Sequence, residues 1–64
     1  MQNEPINIMV YNCTKRMILM IQNMRDEGCP YRVIADKMGY SMHTVNRYHR
    51  IYEKFGIEVF ADDR

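Results

Sequence analysis

Apolar residues recur at steps of three and four positions in three stretches of the chain, and this spacing predicts three amphipathic helices. The first helix spans Lys15 to Glu27, with Thr14 as a suitable N-cap before it and Gly28 ending it. Apolar residues cover a wide face of this helix: Met17, Ile18, Met20, Ile21 and Met24. We therefore expect it to be mostly buried and to support the two helices that follow.

The second and third helices are marked by residues with strong positional preferences. Pro30 suits the first turn of a helix that runs to about Met38. Ser41 is an N-cap for a third helix over residues 42–54, and Gly56 ends that helix.

The third helix separates an apolar face from a basic one. Counted at about 100° per residue, Tyr48, Tyr52 and Phe55 fall within about 80° of Val45 and form the stripe expected to be buried. Polar and basic side chains lie at about 100° to 200° from Val45: Asn46, Arg50, His43, Lys54 and Arg47. A solvated helix face usually includes acids, whereas the only acidic residue near this face is Glu53.

Residues 31–54 have the spacing of a helix-turn-helix motif. With Tyr31 as the first position, the small Ala35 is fifth, Gly39 is ninth and the β-branched Val45 is fifteenth. Ala35 leaves room for two helices to cross, Gly39 permits a left-handed conformation at the turn, and Val45 points into the crossing. Further apolar contacts at the crossing are expected from Ile34, Met38, Tyr40 and Tyr48.

The run IADKMGYSMHTV resembles the helix-turn-helix of lambda-type repressors and Cro proteins. The run TVNRYHRIYEKFG is similar to the recognition helix of resolvases, DNA invertases and transposase N-terminal domains. Together the resemblance covers about a third of the chain. It departs at the first position, where the repressors usually have glutamine and this chain has Tyr31. The resemblance implies binding of double-stranded DNA, with residues 42–54 as the recognition helix in the major groove.

Carried over by position, the resemblance implies two sets of DNA contacts. Base edges would be met by early residues of the recognition helix: Met42, His43, Asn46 and Arg47. Arg47 can form two hydrogen bonds with guanine, and Asn46 can form two with adenine. Met42 can touch a thymine methyl group or pack under the neighbouring tyrosine. Phosphates would be contacted by Tyr31, Arg32, Ser41, Thr44 and Arg50.

The two ends of the chain each allow more than one structure. In residues 6–11 apolar and polar side chains alternate, as in a strand, but the apolar ones also continue the helical stripe of the first helix. Because Thr14 is a suitable N-cap for a helix that begins at Lys15, the extended form is favoured. Residues 57–60 follow Gly56 with partial alternation and could pair with the first segment, in the same chain or in a partner. The apolar residues of both tails would be buried either in a homodimer or by folding over their own domain.

Size and charge limit the classes of function. A chain of 64 residues predicts one domain, residues 1–64, that is all-α with its core over residues 15–55 and short extended tails. It is too small to enclose a deep cleft, so we expect no catalysis and no small-molecule substrate. The net charge of +1 is low for a DNA-binding protein, but residues 31–54 carry five basic side chains against two acidic ones.

Neither a metal site nor a membrane segment is expected. Cys13 and Cys29 form no CxxC pair, and His43 and His49 lie about 240° apart on one helix, so one ion could not bind both. No glycine-rich phosphate loop, HExxH or GxSxG motif occurs, and no cofactor is implied. The two cysteines, without a signal peptide or a long apolar run, indicate a reducing cytoplasm, or the host cytoplasm or nucleoid for a viral protein.

These features predict a small sequence-specific regulator of phage or bacterial type that occupies duplex DNA, with a homodimer as one of the two ways to bury its tails. The initial Met1 and the length suggest a whole small protein. One alternative is the DNA-targeting domain of a recombinase, transposase or terminase small subunit. Another is a helix-turn-helix fold that binds a protein and inhibits a polymerase or repressor. The low net charge favours this last alternative, whereas the basic face of the third helix disfavours it.

Overall fold

Three helices dominate the chain, which a computed structural model describes over residues 9–63. Helix α1 spans Lys15–Asp26, helix α2 spans Tyr31–Met38 and helix α3 spans Met42–Phe55. Short strands precede α1 and follow α3. The predicted fold, a three-helix helix-turn-helix domain with strand-like tails, is confirmed.

Helix α1 begins where the sequence indicates and ends one residue earlier than predicted. The Oγ1 atom of Thr14 accepts a hydrogen bond from the Met17 N–H at 3.3 Å, which caps the first turn. Ile18 and Ile21 are fully buried in the core. The prediction that Met20 is also buried is wrong, since its side chain is 45% exposed. Met20 lies about 100° around the helix from Ile21, on the outer side of α1.

The crossing of α2 and α3 has the predicted geometry. Gly39 ends α2 with φ of +80°, a left-handed conformation that residues with a Cβ rarely adopt. Ile34 and Val45 are fully buried at the crossing, and Ala35 is nearly so. Ser41 caps α3, because its Oγ accepts a hydrogen bond from the Thr44 N–H at 3.1 Å. Met38, Tyr40 and Tyr48 pack against this core while remaining half-exposed.

The buried side of α3 differs from the predicted stripe at one end. Tyr48 and Tyr52 are half-buried against the core, as the helical spacing indicates. Phe55 is 36% exposed, so the prediction that it is buried is wrong. It sits in the last turn of α3, about 80° around the helix from Val45. His49 is buried instead, on the opposite side of Val45 from Phe55.

The described parts of both tails, from Met9 at one end and up to Asp63 at the other, fold over their own domain. Strand β1, Val10–Thr14, pairs in parallel with strand β2, Phe60–Ala61, and the side chains of Val10, Cys13 and Phe60 are buried. This is one of the two predicted ways of burying the tails, and the homodimer stays a prediction.

The strand predicted at residues 6–11 is described only from residue 9 onward, because residues 6–8 lie outside the described part of the chain. The chain is extended over Val10–Thr14, so the alternative of a helix is wrong there. Beyond α3, the segment Ile57–Val59 forms a short 3-10 turn, and only Phe60–Ala61 are a strand.

Two aspartates hold the C-terminal tail at the start of α1. The Lys15 Nζ donates a hydrogen bond to Asp62 Oδ1 at 2.7 Å, and the Arg16 N–H donates to Asp63 Oδ2 at 2.8 Å. The pKa of Asp63 is lowered, first by a hydrogen bond from the Thr14 side chain and then by the Arg16 N–H and the nearby positive charges. The ionised carboxylate is therefore the form that stabilises this contact.

Candidate nucleic-acid interface

The side of α3 that faces away from the core presents polar side chains along a shallow groove. Four of the residues predicted to contact DNA line it: His43, Asn46, Arg47 and Arg50. We refer to the surface formed by these four residues as the α3 face. Three of the four are exposed and Asn46 is half-buried. The same groove extends along the helix past Ile51 to Lys54 and Phe55.

Only one carboxylate lies on α3, and it is close to the buried histidine. Glu53 is the single acidic residue between Met42 and Phe55. Its Oε2 atom is 3.8 Å from His49 Nε2, and Glu53 does not line the groove. The groove of the α3 face is therefore lined by cationic and neutral side chains alone, which favours an anionic ligand.

His49 ties α3 to both other helices. Its Nδ1 atom is 2.9 Å from the Tyr31 hydroxyl on α2, and its Nε2 atom is 2.8 Å from Gln22 Oε1 on α1. Gln22 Oε1 can only accept, so Nε2 donates, and in the neutral imidazole the Tyr31 hydroxyl donates to Nδ1. The ring also stacks on Tyr52. These contacts fix the rotation of α3 about its own axis and hence the direction of the α3 face.

The local sequence pattern does not predict the role of His49, which was considered only as a possible metal ligand. A usable signal exists, since His49 falls about 40° from Val45 around the helix and so lies on the buried side. A histidine there needs polar partners from neighbouring elements. Gln22 and Tyr31 supply them, but nothing in the local pattern pairs residues so far apart in the sequence.

Tyr31 is the predicted phosphate contact that the structure turns inward. Its hydroxyl is engaged with His49, and its ring packs edge-on to the imidazole. The Arg25 guanidinium lies 4.3 Å from the centre of the Tyr31 ring and also donates to the Cys29 carbonyl. Because the hydroxyl already has a partner inside the domain, Tyr31 is better described as part of the packing that orients α3.

The start of α3 and the outer face of α2 line a separate groove. Met42, whose side chain is 55% exposed, lies there with Arg32 and Lys37, and Asp36 places one acid among them. The two basic residues are exposed. Met42 and Arg32, predicted to contact a base and a phosphate, thus share one surface at the N-terminal end of α3.

Ser41 and Thr44 are joined at the first turn of α3. Their hydroxyl oxygens are 2.9 Å apart, with Ser41 donating, and Ser41 Oγ also accepts from the Thr44 N–H. The Ser41 hydroxyl is thus used in capping, whereas the Thr44 hydroxyl keeps its own hydrogen to donate. The amides of the first turn of a helix carry a partial positive charge that favours anions.

Comparison with protein families agrees with this architecture. The family described as "Homeodomain-like domain" matches residues 14–60, which is more than two thirds of the chain. The chain belongs to the homeodomain-like domain family. The match spans all three helices, including the helix-turn-helix. Among curated proteins and among solved structures, none matches the chain significantly.

Membership of the homeodomain-like domain family supports a helix-turn-helix DNA-binding domain. The narrower similarity to lambda-type repressors or to resolvases stays a prediction. No helix within residues 9–63 of this homeodomain-like domain is long and apolar enough to cross a membrane.

The histidine, cysteine and acidic side chains of the homeodomain-like domain form no cluster that could hold a metal ion within the described residues. No three histidine, cysteine or acidic side chains come together within residues 9–63. Cys13 is buried and Cys29 half-buried, both as free thiols. Burial raises the pKa of the Cys13 thiol to about 11, so it stays protonated at neutral pH.

Proposed function

We propose that this protein binds double-stranded DNA sequence-specifically, with α3 in the major groove, as a small transcriptional regulator of phage or bacterial type. The observation that carries the proposal is the α3 face, where polar and basic side chains line one groove with no acid among them. An α-helix with its side chains is about 10–12 Å across and fits a major groove about 12 Å wide. The matched family supports DNA binding in general.

Base recognition rests on the first two turns of α3. Arg47 can reach the O6 and N7 atoms of guanine, and Asn46 can pair with the N6 and N7 atoms of adenine. Met42, which is largely exposed, offers an apolar contact for a thymine methyl group. His43 lies on the same face and can donate or accept a hydrogen bond at a base edge.

Phosphate contacts flank these residues. Arg50 on α3 and Arg32 at the start of α2 are exposed and carry charges that suit the DNA backbone. The Thr44 hydroxyl and the first amides of α3 add neutral donors, with Ser41 holding that turn in place. Tyr31 does not contribute a direct contact in this proposal, because its hydroxyl bonds to His49.

The proposal is tested by selecting bound sequences from a pool of random duplexes at about 0.15 M salt, where weak phosphate-only binding is largely suppressed. Enrichment of a motif with two inverted halves is the expected result, because a two-fold dimer reads two half-sites. Enrichment of a single half-site would favour a DNA-targeting domain of a larger recombinase or transposase. If no sequence is enriched above background, the DNA-binding proposal fails and a protein partner becomes the better hypothesis.

Substitution of Arg47 tests the site itself. We expect Arg47→Ala to weaken binding to the enriched duplex by about 1–3 kcal/mol and to relax the preference at one base pair. The matched control is Arg16→Ala, which removes the same charge from the exposed surface of α1 and leaves the α3 face intact. Equal losses of affinity in both variants, measured by fluorescence anisotropy, would mean that only net charge matters and that Arg47 reads no base.

A further inference from the structure

A second groove adjoins the α3 face and has strand β1 as its other wall. From the strand side it is lined by Met9 to Asn12, and from α3 by Arg47, Tyr48 and Ile51. Arg47 and Ile51 also line the groove of the α3 face. The two grooves therefore adjoin each other at Arg47 and Ile51, and β1 lies close to the surface that is proposed to enter the DNA.

Tyr11 and Asn12 project from β1 at a place where the fold does not use their side chains. The flanking Val10 and Cys13 point into the core, whereas Tyr11 is 74% exposed and Asn12 is also exposed. The strand itself is fixed, because the Tyr40 hydroxyl donates a hydrogen bond to the Asn12 carbonyl at 2.9 Å. The side chains of Tyr11 and Asn12 are thus exposed to solvent near α3. The strand that carries them is hydrogen-bonded to Tyr40, in the turn between α2 and α3.

The dimensions of DNA decide what such a neighbour of α3 would meet. A helix about 10–12 Å wide fills a major groove about 12 Å wide, so an element that lies beside its flank cannot enter with it. Such an element would instead contact the sugar-phosphate backbone that forms the edge of the major groove. Helix α2 contacts α3 through Tyr31 and His49, on one flank of the α3 face. Strand β1 lies on the other flank, next to Arg47 and Ile51.

We propose that Tyr11 and Asn12 contact the sugar-phosphate backbone of the bound duplex, on the groove wall opposite the one met by α2. This inference rests on the proposed DNA binding by α3. The tyrosine hydroxyl and the asparagine amide are neutral donors of the kind that proteins use for phosphate oxygens. Together the two contacts fix the register of α3 in the groove and add affinity without adding sequence preference.

The test uses the double variant Tyr11→Phe/Asn12→Ala of the full chain and the duplex enriched in the selection. Both side chains are exposed, and the Asn12 carbonyl that binds Tyr40 is retained, so the fold is expected to survive. We expect affinity to fall about three- to ten-fold, as for loss of ordinary hydrogen bonds. The base preference and the salt dependence should not change, because neither side chain carries charge. Asn23→Ala, an exposed asparagine on α1 outside both grooves, is the matched control.

The outcomes separate this inference from the proposed function. Weaker binding by Arg47→Ala together with unchanged binding by the double variant would overturn the role of β1 and leave DNA binding by α3 intact. Failure of the wild-type protein to bind any duplex would remove both. A changed base preference in the double variant would show base reading by β1 and contradict a backbone contact.

A measurement on the wild-type protein tests the same inference if the double variant does not fold. Ethylation of single phosphates in the enriched duplex should interfere with binding on both walls of the major groove beside α3. Interference on one wall alone would overturn the inference.

Discussion

Replacing His49 by alanine should strongly destabilise the domain, because the buried imidazole joins α3 to both other helices. The imidazole makes two hydrogen bonds, to Tyr31 and Gln22, worth about 1 kcal/mol each. Its contacts with the rings of Tyr31 and Tyr52 contribute about 0.5–1 kcal/mol each. We therefore expect His49→Ala to lower the free energy of unfolding by roughly 3 kcal/mol. A domain of this size has about 3–10 kcal/mol of stability in all, so the loss is a large fraction of it.

The assay is urea and thermal unfolding followed by circular dichroism. In a domain of this size 1 kcal/mol shifts Tm by about 4–8 °C, so the expected shift exceeds about 10 °C. His43→Ala is the matched control, because it removes an exposed histidine from the same helix and should change stability by less than about 0.5 kcal/mol. A loss of less than about 1 kcal/mol for His49→Ala, or a loss equal to that of the control, would refute the reasoning.

Tyr31→Phe separates the packing role of this tyrosine from a direct role at DNA. The substitution removes only the hydroxyl that bonds to His49, so we expect a loss of about 1 kcal/mol in stability. Because the hydrogen bond between His49 and Gln22 remains to orient α3, DNA affinity of the folded protein should be unchanged. A clear loss of affinity with unchanged stability would instead restore Tyr31 as a phosphate contact.

Two further predictions concern the ends of α1 and α3. Ser41→Ala removes the acceptor of the Thr44 N–H and should cost about 1 kcal/mol of stability, measured by urea unfolding; an unchanged midpoint would contradict the capping role. The pKa of Asp63 in the folded protein lies below its usual value of 3.8, so the ionised carboxylate stabilises the fold at higher pH. This stabilisation is lost as the pH falls from about 3.8 through the pKa of the folded state. Asp63→Asn should therefore be less stable than wild type at pH 7 but lose less stability on acidification. The same substitution at the exposed Asp36 is the control, and an identical acid response in wild type and Asp63→Asn would exclude this linkage.

Much of the helical framework was predictable because the determinants are local. The caps formed by Thr14 and Ser41 each need only an oxygen placed before the first turn, and both form hydrogen bonds to the expected amides. Glycine suits position 39 because φ is positive there, and this preference depends on that residue alone. For this reason the element boundaries differ from the prediction by no more than one residue at any helix.

The extent of burial on each helix was less predictable. Periodicity placed Met20 and Phe55 on apolar faces, but both are exposed because each lies near the edge of its stripe. A stripe of apolar residues gives the direction of a buried face and not its width, which depends on how closely the neighbouring helices approach. Of the residues expected in the DNA interface, the α3 face holds four on one surface, while the Tyr31 hydroxyl is turned into the domain.

The sequence by itself determined the three helices, their caps and the basic face of α3, since each follows from spacing within one element. Only the tertiary structure decided how the tails pair, with β1 lying parallel to β2, and which polar groups meet inside the domain. The contacts of His49 with Gln22 and Tyr31 join positions far apart in the chain. The same holds for Tyr11 and Asn12, which line one groove with Arg47 only because β1 and α3 lie side by side in the folded domain. The physical reason is that local rules act over a few residues, whereas these contacts depend on the packing of whole elements against one core.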